Sequence, residues 1–265
     1  MSSDATFAER AAERRVPPLG GFNLTFLGIE VRGQLRNRRT VVFSVVLPVV
    51  FYLLFRNPSK RSGSTIEGAH VDAFVMVSLG VYGAIAASTS AGAMVAVERA
   101  LGWSRQLRVT PLRPLAYMAI KVLTAMVLGA LSVVVVFVAG AVTGVTMSAS
   151  VWILSGLLAW CAALVFASFG VMMGYLLPSE NVMQYLGPLT TLAAFFGGVL
   201  VPLTVLGATF QNIAQYTPAW GIGQIAHAPL VGSGYSAGAI ANLLGWTAAF
   251  VLGAALLFRR DTQRV

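Results

Sequence analysis

Charged residues are scarce in this chain and very unevenly placed. Asp, Glu, Lys and Arg make up 10% of its 265 residues, whereas a water-soluble domain carries roughly 25%. Residues 122–179 contain no charged side chain, and neither do residues 181–258. Each stretch is long enough for more than one membrane span, since one spanning helix needs about 20 apolar residues. The scarcity of charge therefore excludes a soluble domain and predicts a helical membrane protein.

Lysine, cysteine and histidine are also rare, and each rarity excludes a kind of site. Neither Lys60 nor Lys121 follows a glycine, so the chain lacks the Gly-Lys of a phosphate-binding Walker A loop. Cys161 is the single cysteine, which excludes an internal disulfide and a cysteine metal cluster. His70 and His227 belong to no His-Glu-x-x-His motif. We therefore predict a chain that is not an enzyme and binds no metal, ATP or other cofactor itself.

Apolar runs separated by charges or by Pro, Gly and Ser predict an all-α protein with six transmembrane helices. The predicted spans are approximately residues 40–55, 73–97, 115–143, 151–177, 183–206 and 239–258. Fifteen of the 18 Lys and Arg residues lie before the first span, between the second and third, or after the sixth. Because cytoplasmic segments are enriched in these residues, we expect both termini in the cytoplasm and the protein in the inner membrane. The basic residues flank apolar runs without stacking aromatics, which argues against nucleic acid binding.

Residues 1–21 and 259–265 are expected to be polar cytoplasmic tails, and residues 1–21 lack the apolar core of a signal peptide. Residues 22–39 predict an amphipathic connecting helix on the inner membrane surface. Its apolar side chains share one helical face: Leu24, Leu27, Val31 and Leu35. Equally well, the basic residues of this segment serve only to set the orientation of the chain in the membrane.

The outer segment between the fifth and sixth spans, residues 207–238, has no formal charge, which is unusual for a solvated loop. Non-helical backbone enters a membrane only where protein or water satisfies it. We therefore predict short re-entrant or interfacial helices here, broken at Pro218 and Pro229, with an ordinary loop as the alternative. The transmembrane domain as a whole then covers residues 40–258.

One cytoplasmic stretch, VERALGWSRQLRVTPLRPLAYMAIK (residues 97–121), concentrates charge between two apolar runs. Helix is predicted from Glu98 to about Val109, where Thr110-Pro111 stops it. Glu98-Arg99, Gly102, the run from Leu107 to Leu112 and Lys121 resemble the E-R-x-x-G…L-R-x-T-P-L…K pattern of type-2 ABC transporter permeases. These are membrane subunits of drug, lipid and polysaccharide exporters. Pro202 with Tyr216-Thr217-Pro218 also resembles the family's Pro…Asn-Pro signature. The chain departs from the family pattern at two positions: Thr217 replaces Asn, and Trp103 stands where Thr is more usual.

The resemblance implies that two permease copies pair, most simply as a homodimer, and that a separate cytoplasmic ATPase binds ATP and Mg. The loop 98–114 would couple the two proteins. Its candidate contact residues are Glu98, Arg99, Leu101, Trp103, Arg105, Leu107, Arg108, Thr110 and Pro111. The alternative is that the basic residues only enforce topology and touch lipid headgroups, which for Arg99, Arg113 and Lys121 is an equally good interpretation.

The resemblance also implies a substrate pathway lined by the first, second and fifth spans. Its candidate residues are Phe43, Ser88, Thr89, Phe195 and Phe196, although packing against helices or lipid explains each of them singly. An aromatic and hydroxyl lining suits a small hydrophobic or amphipathic solute of the drug or antibiotic kind. Three alternatives remain open: export of a lipid or glycan, a secondary transporter or channel that works without an ATPase, and a membrane scaffold or sensor subunit that transports nothing.

Overall fold

The computed structural model describes residues 21–56, 65–102 and 114–263, without the side chains of Arg39, Phe43, Pro114, Thr262 and Gln263. This part of the chain is almost entirely helical. The helices are α1 (Leu24–Arg36), α2 (Arg38–Val41), a π-helical turn (Val42–Val46), α3 (Leu47–Phe55), α4 (Val71–Ala93), α5 (Val95–Ala100), α6 (Pro114–Val142), α7 (Ala149–Leu176), α8 (Ser179–Phe196), α9 (Leu203–Leu206), α10 (Ala208–Ala214), α11 (Trp220–Val231) and α12 (Ala237–Gln263).

A two-stranded antiparallel hairpin precedes α4. Strands β1 (Thr65–Ile66) and β2 (Ala69–His70) pair Thr65 with His70 and Ile66 with Ala69. Both residues of the connecting turn, Glu67 and Gly68, have positive φ, which is the backbone conformation that a tight two-residue hairpin turn requires.

Within the described residues, four helical segments are long and apolar enough to cross a membrane: Val71–Ala100, Leu115–Val142, Ala149–Leu176 and Ala237–Asp261. They coincide with the predicted second, third, fourth and sixth spans. The predicted first span contains a shorter apolar helix, Ser44–Phe55, and the fifth contains α8, which has 18 residues. The described chain is thus a multi-pass helical membrane protein.

Two predicted boundaries in the second half of the chain need correction. The helix expected to continue to residue 206 ends at Phe196, because Gly198 takes a positive φ of 76° and Pro202 follows. Pro218 separates α10 from α11 as predicted, but Pro229 lies inside α11 and does not break it. It sits in the last turn of α11, where little helix remains to be disrupted, and the helix ends at Gly232 in the left-handed region.

Helix α4 lies at the centre of the bundle and packs against α6, α7, α8 and α11. Its contact with α7 is a close approach of two backbones. A Cβ added at Gly170 would lie 2.3 Å from the carbonyl oxygen of Thr89, and one added at Gly92 would lie 2.7 Å from that of Ala167. Small residues at helix contacts allow this proximity in membranes, where association depends on packing more than on the hydrophobic effect.

Helix α1 packs along α6 and begins at Asn23, whose side chain accepts a hydrogen bond from the Thr25 backbone N–H. Of the predicted apolar face, Leu27 and Val31 are partly buried, whereas Leu24 and Leu35 are exposed. The bundle-facing side of α1 also carries two polar residues, Glu30 and Gln34. This helix therefore brings a carboxylate to the bundle.

Candidate functional site

The segment that leads into the charged loop is the short helix α5, which ends at Ala100. The backbone N–H of Gly102 bonds to the Arg99 carbonyl, and Gly102 has a φ of 76°. Glycine in this conformation is a common helix C-terminus. The prediction of a helix from Glu98 to about Val109 holds as far as Ala100 and is wrong at Gly102, where the chain turns; residues 103–109 lie outside the described residues. Leu101, in this turn, is largely exposed.

Lys121 forms the centre of a buried polar group that we call the lysine cluster: Glu30, Glu98, Tyr117 and Lys121. The Lys121 ammonium donates to Glu30 at 2.6 Å and also to Glu98. The Tyr117 hydroxyl donates to the second oxygen of Glu98 at 2.5 Å. Lys121 is only 1% exposed. The cluster therefore joins α1, α5 and α6 at one end of the bundle.

The charges of the lysine cluster depend on one another. Two carboxylates share one ammonium, and a buried charge is tolerated only when it is paired and hydrogen-bonded. Removing Lys121 would leave Glu30 and Glu98 facing each other without a cation. The cluster is consequently sensitive to any movement that separates its three helices.

Arg99 makes a second connection from α5, which we call the arginine clamp: Arg99, Gly174, Tyr175 and Asp261. The guanidinium binds both carboxylate oxygens of Asp261, at 2.5 and 3.1 Å. Its remaining nitrogen donates to the carbonyls of Gly174 and Tyr175 at 3.1 and 2.9 Å. These carbonyls belong to the last turn of α7, where no later helical N–H reaches them. The clamp thus ties α5 to the ends of α7 and α12.

The candidate coupling residues are only partly covered by the structure. Trp103, Arg105, Leu107, Arg108, Thr110 and Pro111 lie outside the described residues. Glu98 and Arg99 lie at the base of the loop in the lysine cluster and the arginine clamp, respectively. The interpretation of Arg99 and Lys121 as residues that only contact headgroups is therefore wrong, because each binds a carboxylate within the protein.

Sequence reasoning missed Glu30, Tyr117 and Asp261 as partners in this region. A signal for Glu30 was available, because it lies between Leu27 and Val31 on the inward side of α1. A carboxylate on that side requires a buried cation. Nothing in the sequence paired it with a residue 91 positions away.

A cavity of ≈ 580 Å³ lies beside the end of the bundle that holds the lysine cluster. Its polar lining comes from three walls: Asn37, Thr40 and Ser44 around α2, then Tyr82, Thr89 and Ser90 of α4, then Thr190 and Thr191 of α8. These walls correspond to the predicted first, second and fifth spans. None of the described residues that line the cavity is charged.

Of the candidate pathway residues, Thr89 belongs to this lining, and the Phe43 side chain is not described. Ser88 is buried and donates to the Ile85 carbonyl of its own helix. Phe195 and Phe196 contact each other edge to face, with ring centres 5.5 Å apart, and lie outside the lining. The structure therefore does not bring together the four candidates whose side chains it describes.

The opposite end of the bundle holds a buried histidine, His227 of α11. Its Nδ1–H donates to the Gly223 carbonyl at 2.8 Å, which leaves Nε2 to accept from the Ser78 hydroxyl at 3.1 Å. Its ring stacks on Phe74 of α4 with centres 4.3 Å apart. Burial lowers the pKa of His227 below its ordinary value. Among the described residues, no group of three or more His, Cys, Asp or Glu is placed to bind a metal.

Comparison with known proteins gives two matches. Residues 24–226 match the family described as "ABC-2 type transporter". A Bacillus subtilis (strain 168) protein named "Putative transport permease YvfS" is 28% identical over 202 residues, which cover 73% of this chain and 79% of that protein. The family match includes the helices that form the lysine cluster and the walls of the cavity.

Proposed function

Because the chain belongs to the ABC-2 type transporter family, whose members are membrane transport subunits, we propose that it is the permease of an ATP-driven exporter. A separate ATPase would bind ATP and Mg and hydrolyse the nucleotide. The observation that carries this proposal is the anchoring of α5 by the lysine cluster and the arginine clamp. Through them, the base of the 98–114 loop is bonded to α1, α6, α7 and α12.

Force applied to the loop would therefore reach several helices at once. Nucleotide binding closes the ATPase pair and moves the loop. Charge-assisted hydrogen bonds are short and directional, so α5 carries α1 and α6 with it and does not slide past them. The cavity beside α4 then changes between inward-facing and outward-facing forms. This transmission needs two discrete arrangements of packed helices rather than gradual bending.

The position of the chain in the membrane is part of the proposal. The excess of basic residues supports a cytoplasmic location for both termini and the charged loop. The Ser44–Phe55 helix and α8 complete six spans, and α9 to α11 form the re-entrant segment at the outer surface. His227, which joins α11 to Ser78 of α4, supports a buried location for that segment.

A second copy of the chain would cover the exposed side of α8. This helix is buried along one narrow stripe: Val182, Leu186, Thr190 and Ala194. Its other faces are exposed, including the polar Gln184 and the apolar Leu189. A polar amide exposed to lipid is costly, which favours a protein neighbour and, most simply, a homodimer.

The proposed cargo is a hydrophobic or amphipathic solute of the drug or antibiotic kind. Its support is a cavity that is mostly apolar, with hydroxyl groups on each wall. A secondary transporter usually places an ionisable residue along its pathway to bind or relay the coupling ion. The described lining has none, which favours an external energy source.

The proposal is tested by co-expressing the chain with a candidate ATPase and purifying the complex. We expect the double substitution Leu107→Ala and Arg108→Ala to weaken assembly and to abolish cargo-stimulated ATP hydrolysis. The exposed Arg32→Ala on α1 is the matched control and should assemble normally. Unchanged assembly and coupling in the double variant would contradict docking through this loop. Solute flux in vesicles that contain the chain alone would instead indicate an ATPase-independent transporter.

A further inference from the structure

We infer that the cavity wall formed by α4 and α8 selects uncharged molecules that donate hydrogen bonds. This inference rests on the proposed function and narrows its cargo. It follows from two properties of the wall, namely its lack of charge and the direction in which its hydroxyl groups are already bonded.

The first property excludes ions. No described lining residue carries a charge. The ammonium of Lys121 is engaged with Glu30 and Glu98. A cation or anion entering the cavity would lose water and find no opposite charge, and an unpaired charge is very costly in such surroundings.

The second property concerns Tyr82 and Thr191, which face each other across the cavity wall. Thr191 donates its single hydroxyl hydrogen to the Gly187 carbonyl at 2.9 Å. It therefore has no hydrogen left for the Tyr82 hydroxyl, 3.0 Å away, and must accept there. Tyr82 in turn has used its own hydrogen. Both oxygens consequently offer only lone pairs to a ligand.

The neighbouring hydroxyl groups repeat this pattern. Thr190 donates to the Leu186 carbonyl at 2.7 Å, with Gly187 also within reach at 3.0 Å. Thr89 donates away from the cavity to the Phe166 carbonyl of α7. Because each hydroxyl has one hydrogen, Tyr82, Thr89, Thr190 and Thr191 can only accept from a ligand, and Ser90 is the one described hydroxyl group of this wall that keeps its hydrogen. A ligand must supply the donors.

The remaining polar groups are not committed in this way. In the described part of the chain, no hydrogen bond uses the hydroxyl of Thr40 or Ser90. These groups can meet the acceptor atoms of a ligand whose donors face α8. The preferred cargo is thus a hydrophobic molecule with free hydroxyl or amide N–H groups and a size within the ≈ 580 Å³ cavity. Ethers and ketones that lack donors would bind less well, and anions least.

The test uses four matched probes built on an N-methyl dansyl sulfonamide with an eight-carbon chain. The chain ends in a 1,2-diol, its di-O-methyl ether, a carboxylate or a trimethylammonium group. The permease and its ATPase are placed together in nanodiscs, and the dansyl fluorescence reports the dissociation constant of each probe. We expect the diol to bind at least about fivefold more tightly than the ether, which corresponds to one or more additional hydrogen bonds. The charged probes should bind still more weakly.

A substitution locates the effect. Thr191→Val keeps the shape of the side chain and removes the acceptor, so it should weaken the diol about fivefold without weakening the ether, because the Tyr82 hydrogen that it frees can only add a donor. Thr247→Val is the matched control, because Thr247 donates in the same way to its own helix at the Leu243 carbonyl but does not line the cavity. It should change neither probe. Tyr82→Phe provides an independent variant with the same expected loss of preference for the diol.

The outcomes separate this inference from the proposed function. Equal binding of diol and ether by the unsubstituted protein would overturn the inference, as would equal weakening of both by Thr191→Val. Tight binding of the carboxylate or trimethylammonium probe would overturn the exclusion of ions. Stimulation of ATP hydrolysis by bound probe tests the exporter itself. A complex that binds the diol selectively but shows no stimulation with any probe would contradict only the proposed function.

Discussion

Replacing Lys121 by Met tests the lysine cluster most directly. Met has nearly the length of Lys and fills the same space without a charge. Lys121 is 1% exposed and binds Glu30 at 2.6 Å as well as Glu98. The substitution therefore leaves two carboxylates in one buried site without a cation.

The magnitude follows from that burial. Removing one partner of a buried ion pair costs about 3–5 kcal/mol, because the other charge stays buried and unpaired. We expect Lys121→Met to lower the free energy of unfolding by this amount. Glu30→Gln should cost only about 1 kcal/mol, since Lys121 and Glu98 remain as a neutral pair. The double variant should have a free energy of unfolding at least about 1 kcal/mol higher than Lys121→Met alone, because Glu30→Gln removes one of the two repelling carboxylates.

The purified protein is kept in micelles of a mild detergent and titrated with sodium dodecyl sulfate. Its unfolding is followed by circular dichroism. Arg32→Met is the matched control, because it removes a cation from the exposed side of α1. It should change stability by less than about 0.5 kcal/mol. The cluster would not hold α1, α5 and α6 together if Lys121→Met were as stable as this control, or if adding Glu30→Gln to Lys121→Met recovered no stability.

Two further predictions concern other parts of the bundle. Gly170→Ala should destabilise the protein by about 2 kcal/mol or more, because its Cβ would lie 2.3 Å from the Thr89 carbonyl oxygen. The control is Gly245→Ala, which has open space around it and should be neutral or slightly stabilising in the same titration. For His227, burial lowers the pKa in the folded state, so the unfolded chain binds more protons and stability should fall as the pH drops below about 6.5. Unfolding measured at pH 7.5 and 5.5 should show this loss in the unsubstituted protein and a smaller loss in His227→Gln, and an equal loss in both would contradict it.

Much of the helical architecture could be predicted from the sequence because membrane spans follow from local composition. A run of about 20 apolar residues has few alternatives in lipid, where backbone groups must bond within the segment. The four long spans were predicted in this way. Helix ends were less predictable, since α8 stops at Phe196 and α11 continues through Pro229, because glycine and proline act according to their position within a turn.

The candidate site was predictable only in part, since its motif is local and its partners are not. The charged loop was apparent from the sequence, and Glu98 and Arg99 were among its candidate coupling residues. Whether these side chains face lipid or protein was not, because Asp261 is 162 positions from Arg99 and Glu30 is 91 positions from Lys121. Spacing along one helix can pair residues three or four apart, but it cannot align residues on different helices.

The sequence by itself determined that this chain is a multi-pass helical membrane protein without a Walker A loop, because composition and the energetics of lipid leave little else. The tertiary structure alone decided where its few charges are satisfied and which hydroxyl hydrogens remain available. Both depend on how helices pack: Lys121 is paired because α1 and α5 meet at α6, and the Tyr82 hydroxyl is committed because α8 brings Thr191 to it. Such contacts are set by distances between helices, which no single segment encodes.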